Sequence, residues 1–165
     1  MTVRDVRIYP DPVLKQVAQA VGHIDDAARA LADDLVDTMR ANEKCVGLAA
    51  NQIGELRRCV VVDVTGHPKA KSCGGLIVLF DPVVTTASGS AVAREGCLSI
   101  PEFTANVRRP TDITVRGLTP DGSPREIVAD AFEARALLHE IDHLDGILFL
   151  DRVTSVATDV FPRKR

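Results

Sequence analysis

The chain has 165 residues, of which 45% are hydrophobic and 26% are charged, and its formal net charge is −3 with a pI near 5.8. This length and apolar content predict a single domain over residues 1–165 that buries a hydrophobic core large enough to need no disulfide bonds. The acidic balance argues against direct nucleic-acid binding, which favours basic surfaces. The basic end, Arg163–Arg165, is expected to be a solvated tail.

The chain lacks the sequence features of membrane insertion or export. No apolar run approaches the roughly 20 residues that span a bilayer. The segment Met1–Tyr9 alternates charged and β-branched residues instead of forming a signal-peptide core. The four cysteines, Cys45, Cys59, Cys73 and Cys97, have no CxxC spacing. We therefore expect a cytoplasmic protein without membrane contact, whose cysteines are thiols.

The first third of the chain predicts a turn, a helix and a short edge segment. Tyr9–Pro12 is typical of a turn, and Pro12 is suited to open a short helical segment. From Asp25 to Ala41 apolar side chains recur on one stripe, which predicts an amphipathic helix with Asp25 as its N-cap. Cys45–Gly54 is small and apolar and predicts a loop or an edge strand.

The middle of the chain predicts a set of β-strands, because runs of β-branched residues alternate with turn signals. Thr65–Gly75 is polar and predicts an exposed loop, whereas Asp121-Gly122 predicts a hairpin turn. The candidate strands are Cys59–Val64, Leu76–Phe80, Val83–Thr86, Ala91–Arg94, Asp112–Gly117 and Arg125–Ala129.

A second long helix is predicted to begin after Asp130, which is expected to form a capping box with Glu133. Apolar residues surround much of this helix, so we expect it to be buried, and Gly146 is expected to end it. Strands clustered between two helices indicate an α+β fold, with antiparallel β-strands packed around this central buried helix.

The second helix carries a His-Glu-x-x-His (HExxH) motif at residues His139–His143. Histidines four residues apart lie on one face of a helix and can bind one metal ion, and the glutamate can act on an attacking water. Two histidines and a glutamate on a buried helix need a partner, because burying an unpaired polar group is costly. The motif therefore predicts a metallohydrolase.

A cysteine is the candidate for the third metal ligand. Cys97 follows Gly96, which permits a close backbone approach, and a thiolate is the form that binds metal. Three protein ligands with one open position are typical of a catalytic site. Cys59 lies in an apolar strand and is expected to be buried, and Cys73 is expected to be a surface thiol. Spacing alone does not choose between Cys97 and Cys45.

Three motifs, in this order along the chain, resemble those of the peptide deformylase family. Cys45–Gln52 matches Gly-x-Gly-x-Ala-Ala-x-Gln except at its first residue, and Glu95–Ser99 matches Glu-Gly-Cys-Leu-Ser in full. His139–His143 is the third motif. The resemblance extends from about Val6 to Val153, and three motifs in this order are much more specific than any one of them.

The resemblance implies a metal-dependent amide hydrolase. Its metal ligands would be Cys97, His139 and His143, and Glu140 would be the general base. The implied reaction removes the formyl group from the N-formylmethionine of newly made polypeptides and releases formate. One divalent ion is implied, with Fe(II) expected and Zn(II), Ni(II) and Co(II) as alternatives, because the ligand types alone do not separate these metals.

The resemblance also implies the groups that contact substrate. Gln52 and the backbone N–H of Leu98 would form the oxyanion hole, and Val46 and Gly47 would line the cleft. Candidates for the methionine pocket are Phe132 and Ala136. The implied partners are N-formylmethionyl nascent peptides, with the ribosome as a further candidate, and a monomer is expected.

Three neighbouring features carry separate expectations. Glu95 is expected to pair with Arg109 or Arg108 and to brace the ligand loop, and Asp142 is expected in a salt bridge. Cys45 departs from the glycine of the family, so a positive φ would be unfavourable there and the cleft could be narrower.

Two other classes of function compete with a deformylase. A zinc peptidase of HExxH type would share the helix motif but would act on internal peptide bonds. A metal-stabilised, inactive deformylase-like binding domain is made conceivable by Cys45, although Glu140 and Gln52 are both retained.

Overall fold

The computed structural model describes residues 2–163, and it contains two long helices and two antiparallel sheets. The helices are α1 (Asp26–Ala41), α2 (Ala131–Leu144) and the short α3 (Val156–Asp159). Short 3-10 helices cover Pro12–Lys15, Ala50–Ile53 and Phe149–Arg152. The strands are β1 (Gly47–Ala49), β2 (Cys59–Val62), β3 (Ile77–Ser88), β4 (Ala91–Cys97), β5 (Ile100–Arg109), β6 (Asp112–Leu118), β7 (Pro124–Asp130) and β8 (Val160–Pro162).

The larger sheet has the strand order β1-β2-β3-β6-β7, and the smaller sheet has the order β4-β5-β8. Every neighbouring pair of these strands is antiparallel. The predicted mixture of helices and antiparallel strands is confirmed. Within residues 2–163, every helix lacks either the length or the apolar character needed to cross a membrane.

The larger sheet lies between the two long helices. Val60 and Val62 of β2 belong to the hydrophobic cluster that includes Leu137 and Ile141 of α2. The intervening Val61 packs in a second cluster with the apolar stripe of α1. Successive side chains of a strand point to opposite faces, so this short, fully buried strand contributes to both clusters. The sheet therefore fixes the position of α2 from one side.

Helix α1 forms as its sequence predicts. The Asp25 carboxylate accepts a hydrogen bond from the Ala28 N–H at 2.8 Å, which caps the first turn. Leu31 and Leu35 are buried on the face that packs against the sheet. The expected short helical segment at Pro12 is also present.

The capping box predicted at the start of α2 is wrong. Asp130 is the N-cap residue, but its side chain makes no capping hydrogen bond and instead accepts from the Ser72 N–H at 2.9 Å. Glu133 accepts from Ser72 Oγ and from the Gly74 N–H, at 2.8 and 2.6 Å. Both carboxylates therefore hold the 65–75 loop against the helix.

Gly146 lies just beyond the C-cap of α2, as expected. Its φ is +72°, and a Cβ there would lie 2.6 Å from the carbonyl oxygen of Lys15. Only glycine combines this backbone conformation with so close an approach. The end of α2 is thereby packed against the N-terminal segment.

Two strand predictions need correction. Leu76–Phe80 and Val83–Thr86 are parts of one long strand, β3, which continues through register shifts next to Pro82 and Thr85. The strand β5 was not predicted, because Pro101, Glu102 and two arginines interrupt its apolar pattern.

Candidate functional site

Helix α2 places two histidines one turn apart on its buried face. His139 and His143 are 8% and 1% exposed, and the centroids of their rings lie 5.0 Å apart. Burial lowers the pKa of His143 well below its usual value, so this ring is neutral, which is the form that binds metal. Burial opposes a charge on His139, whereas hydrogen bonds to Cys97 and Glu95 raise its pKa. The net result is a pKa of His139 above its usual value.

Cys97 completes a three-residue cluster with these histidines. It ends β4 next to a register shift with β5, and its Sγ lies 3.4 Å from His143 Nε2. One ligand atom from each of Cys97, His139 and His143 lies within 4.8 Å of the others, and all three residues are buried. The structure thus brings Cys97, and not Cys45, to the histidines. One thiolate and two imidazoles are a donor set that suits a divalent transition-metal ion.

A buried ionic network lies behind the histidines. Glu95, on β4, accepts from Arg109 through both carboxylate oxygens at 2.6 and 2.9 Å, from Arg135 at 2.7 Å, and contacts His139 Nδ1 at 2.9 Å. Burial opposes its charge, but the hydrogen bonds with His139 and Arg109 hold the pKa of Glu95 well below its usual range. An ionised carboxylate that orients a ligating histidine is a recurrent feature of metal sites.

Asp142 extends this network toward the surface. It accepts from Arg109 at 2.8 Å and from Arg152 through both oxygens at 3.0 and 2.7 Å. The salt bridge expected for Asp142 is therefore present, and Glu95 pairs with Arg109 and not with Arg108, whose side chain contacts Ser90. We call Glu95, Arg109, Arg135, Asp142 and Arg152 the ionic network.

Glu140 lies on the side of the histidines that faces the cleft. It is 5% exposed, and burial raises the pKa of Glu140 to about 7. Its Oε1, like His143 Nδ1, has no hydrogen-bond partner among residues 2–163. A Cβ on Gly47 would lie 2.7 Å from Glu140 Oε2, so the glycine is needed for β1 to approach the carboxylate. The sequence pointed to Gly47 as a cleft residue but not to this contact.

Gln52 is buried beside Cys97. Its Oε1 accepts from the Ala49 N–H at 3.0 Å, which fixes the orientation of the amide. Its Nε2 then points to Cys97 Sγ at 3.4 Å and to Ser99 Oγ at 3.1 Å. The amide N–H group is thus held next to the metal-binding cluster.

A cleft of about 380 Å³ opens onto this cluster. Its volume lies within the roughly 300–1,000 Å³ typical of small-ligand sites. The predicted residues that line it are Val46, Gly47, Gln52, Cys97, Leu98, Phe132, Ala136, His139 and Glu140. His143 does not line the cleft and lies deeper in the core.

The cleft also has lining residues that the sequence did not indicate, among them His67 and Arg163. His67 stacks on Phe132 with centroids 3.8 Å apart, so part of the predicted exposed 65–75 loop covers one end of the cleft. Arg163 also lines the cleft, so the prediction of a solvated tail is wrong for this residue; Lys164 and Arg165 lie outside the described residues. Neither a loop composition nor a basic terminus predicts such long-range packing.

The remaining cysteines are in three different environments. Cys59 is fully buried in β2, and Cys73 is exposed, both as expected. Cys45 lines the cleft, and its thiol donates to the Gly47 carbonyl at 3.2 Å. It is not among the residues with positive φ, a conformation that Lys44 adopts instead with φ 65°. Substitution of the family glycine therefore introduces no backbone strain at this position.

Comparison with known proteins identifies the family of the chain. A family model described as polypeptide deformylase matches residues 3–159. The chain belongs to the polypeptide deformylase family. A peptide deformylase of Syntrophobacter fumaroxidans is 43% identical over 164 residues, covering 99% of this chain and 94% of the relative. One of Caldanaerobacter subterraneus is 44% identical, covering 93% and 91%.

Solved structures of the family share the fold. The peptide deformylase of Ehrlichia chaffeensis in complex with actinonin matches with a TM-score of 0.88 at 34% identity, covering 95% of this chain and 92% of that one. A Met-Ala-Ser-bound class I type b peptide deformylase of Acinetobacter baumannii matches with a TM-score of 0.84 at 31% identity, covering 92% and 99%.

Proposed function

We propose that this member of the deformylase family removes the formyl group from the N-formylmethionine of newly made polypeptides. The observation that carries the proposal is the meeting of Cys97, His139 and His143 with Glu140 and Gln52 around one cleft. Cys97, His139 and His143 would hold a divalent ion, which would supply Lewis-acid polarisation and an acidified water. The A. baumannii relative was solved with Met-Ala-Ser, a peptide that begins with methionine, which supports the same substrate class here.

Glu140 is proposed to act as the general base and then as the general acid of the reaction. It accepts a proton from the water that attacks the formyl carbon and then gives it to the leaving amine. A pKa of about 7 suits both steps near neutral pH, because the group is readily protonated and deprotonated there. The products are formate and a free N-terminus.

Gln52 and Leu98 are proposed to stabilise the developing oxyanion. The Gln52 amide is fixed by the Ala49 N–H, so its Nε2 needs little reorganisation to donate a hydrogen bond. Leu98 follows Cys97 directly, and we assign its backbone N–H as the second donor. Loss of one such donor typically lowers the rate by about 100- to 1,000-fold.

The substrate is proposed to lie along β1 as an extended peptide. Val46 and Gly47 offer backbone groups at the sheet edge, since β1 is the terminal strand of the larger sheet. Phe132 and Ala136, on the first turns of α2, line the same cleft and are assigned to the methionine side chain. The small residue Gly96 and the closeness of Gly47 to Glu140 favour a formyl group over bulkier acyl groups.

The metal in the cell is proposed to be Fe(II), as the resemblance to the family implies. One thiolate and two imidazoles are compatible with this ion and also with Zn(II), Ni(II) or Co(II). We further assign the protein to the cytoplasm as a monomer that acts on nascent chains, with the ribosome as a candidate partner.

The experiment is an anaerobic assay of the Fe(II)- or Ni(II)-loaded protein on formyl-Met-Ala-Ser, with Glu140→Ala measured beside it. We expect formate release from the native protein and a loss of about 100- to 10,000-fold in the variant at unchanged metal content. Equal release from both proteins would exclude Glu140 as the base. Absence of formate release by the loaded native protein would indicate the inactive binding domain instead.

A further inference from the structure

Among the described residues, two arginines at one end of the cleft have no carboxylate partner. Arg94 and Arg163 both line it. Arg94 contacts only neutral groups within residues 2–163: Asn106 Oδ1 at 3.2 Å, Thr104 Oγ1 at 3.4 Å and the Phe161 ring at 3.7 Å from its centroid. In the same part of the chain Arg163 has no ion pair. This end of the cleft therefore carries two positive charges that the fold leaves available.

The smaller sheet places both side chains on one surface. Along β4, Glu95 and Cys97 are buried, whereas Arg94 and Gly96 are exposed on the opposite face. The strand β8 pairs with β5, and the Arg163 N–H donates to the Glu102 carbonyl at 2.8 Å. The Arg163 guanidinium then lies in the space that a Cβ on Gly96 would fill.

The other charged residues of the cleft do not cancel this charge. Glu43 and Lys44, adjacent in sequence, carry opposite charges. Arg135 is already engaged by Glu95, and Glu95 in turn is paired with Arg109. Glu140, the remaining carboxylate of the lining, lies against Gly47 of β1 and not on β4 or β8. The charge that Arg94 and Arg163 contribute at their end of the cleft is therefore positive.

The position of the two arginines matches the length of a peptide substrate. A β-strand rises about 3.3 Å per residue, so Arg94, three residues before Cys97, lies roughly 10 Å along the strand from the metal-binding cluster. An extended peptide with its formyl group at that cluster covers the same distance with its second and third residues. The Arg163 guanidinium lies over Gly96, between these two points.

We propose that Arg94 and Arg163 form an anion subsite that selects formylated peptides with a carboxylate at the second or third residue. The inference rests on the proposed function, because the methionine end of the peptide must be anchored at the metal-binding cluster. Arg94 and Arg163 are specificity-determining residues in this account and take no part in the chemical step.

The test compares C-terminally amidated formyl-Met-Ala-Asp with formyl-Met-Ala-Asn, and formyl-Met-Asp-Ala with formyl-Met-Asn-Ala, on the metal-loaded full chain. An exposed ion pair contributes little, so we expect kcat/KM for at least one aspartate peptide to exceed that for its asparagine partner by roughly three- to fivefold at low salt. The ratio is expected to fall toward one as salt is raised. A formyl-Met-Ala-Asn peptide with a free C-terminus shows whether a terminal carboxylate is also accepted.

Variants assign the preference to the subsite. Arg94→Gln combined with Arg163→Gln is expected to abolish the aspartate-to-asparagine ratio, and Arg94→Glu is expected to favour formyl-Met-Ala-Lys over the aspartate peptide. Arg108→Gln is the matched control, because Arg108 is exposed on β5 and lies outside the cleft. This control is expected to keep the native ratio.

The outcomes separate this inference from the proposed function. Equal kcat/KM for acidic and neutral peptides in the native protein overturns the subsite while formate release still supports the deformylase. A preference that survives the double substitution also overturns it. Failure to release formate from every peptide contradicts the proposed function itself and removes the basis of the subsite.

Discussion

The two sides of the histidine pair are built in opposite ways. Behind His139 the ionic network pairs each of its carboxylates with at least two partners, and every carboxylate oxygen has a donor or ring nitrogen. On the cleft side, Glu140 is equally buried, yet one of its oxygens has no hydrogen-bond partner within residues 2–163. The difference supports the proposal that the network behind His139 orients this ring, whereas the cleft side keeps polar atoms available for chemistry.

The largest expected effect is on the free energy of unfolding, and it comes from the ionic network behind His139. Glu95→Ala leaves Arg109 and Arg135 buried without their shared carboxylate. Removal of one partner of a buried ion pair typically costs about 3–5 kcal/mol, so the free energy of unfolding measured in urea should fall by that amount. Metal affinity should also fall by about 10- to 100-fold, because His139 loses its orienting partner.

Glu102→Ala is the control for this prediction, because Glu102 is an exposed carboxylate of the same sheet. It should change the free energy of unfolding by less than about 0.5 kcal/mol. If Glu95→Ala had the same free energy of unfolding as the control, the ionic network would not be what stabilises the region behind His139.

On the cleft side of the histidines we expect a smaller change in the free energy of unfolding than for Glu95→Ala, and a large change in the reaction rate. Gly47→Ala places a methyl group against Glu140 Oε2, so the carboxylate must move away from its position. Misplacement of a catalytic group by about 1 Å can cost roughly 100-fold, and kcat should fall by about that factor. The assay is formate release at saturating formyl-Met-Ala-Ser, with metal content measured in parallel.

Cys45→Gly is the comparison for that variant, since it changes the same segment of the cleft wall without adding an atom near Glu140. Its activity should stay within about threefold of native, since Cys45 has no strained φ to relieve. A comparable loss in both variants would mean that the segment as a whole, and not the contact with Glu140, limits the reaction.

The smallest expected effect concerns the reactivity of the cysteine thiols, which reports how accessible the cleft is. Burial raises the pKa of Cys45 to about 12, so at about pH 8 this thiol is protonated and a poor nucleophile. The metal-loaded protein should therefore react rapidly with a thiol reagent at Cys73 alone, which is exposed. Cys73→Ser should remove the rapid phase, and a second equally fast thiol would show that the cleft is more open than the structure indicates.

The sequence predicts those parts of the molecule whose signals are local. The stripe of α1, the Asp25 cap, the hairpin at Gly122 and the end of α2 at Gly146 each depend on residues within one or two turns. The HExxH spacing likewise places His139 and His143 together through helix geometry alone. The predictions for α1, its cap, the hairpin turn and the end of α2 are confirmed because no distant residue competes with them.

The parts that the sequence did not predict depend on residues far apart in the chain. Asp130 and Glu133 bind the 65–75 loop instead of capping α2, and they are about 60 positions from their partners. Arg163 reaches the cleft only because β8 pairs with β5. The choice of Cys97 over Cys45 could not be made by spacing, because it is decided by where β4 ends relative to α2.

Metal content tests the central claim most directly, namely that Cys97, His139 and His143 are the ligands of one divalent ion. The protein is purified anaerobically with Fe(II) or Ni(II), and the metal per chain is measured for the native form, Cys97→Ala and Cys59→Ala. We predict one metal per chain in the native protein and in Cys59→Ala, and little or none in Cys97→Ala. Full occupancy in folded Cys97→Ala would contradict the account.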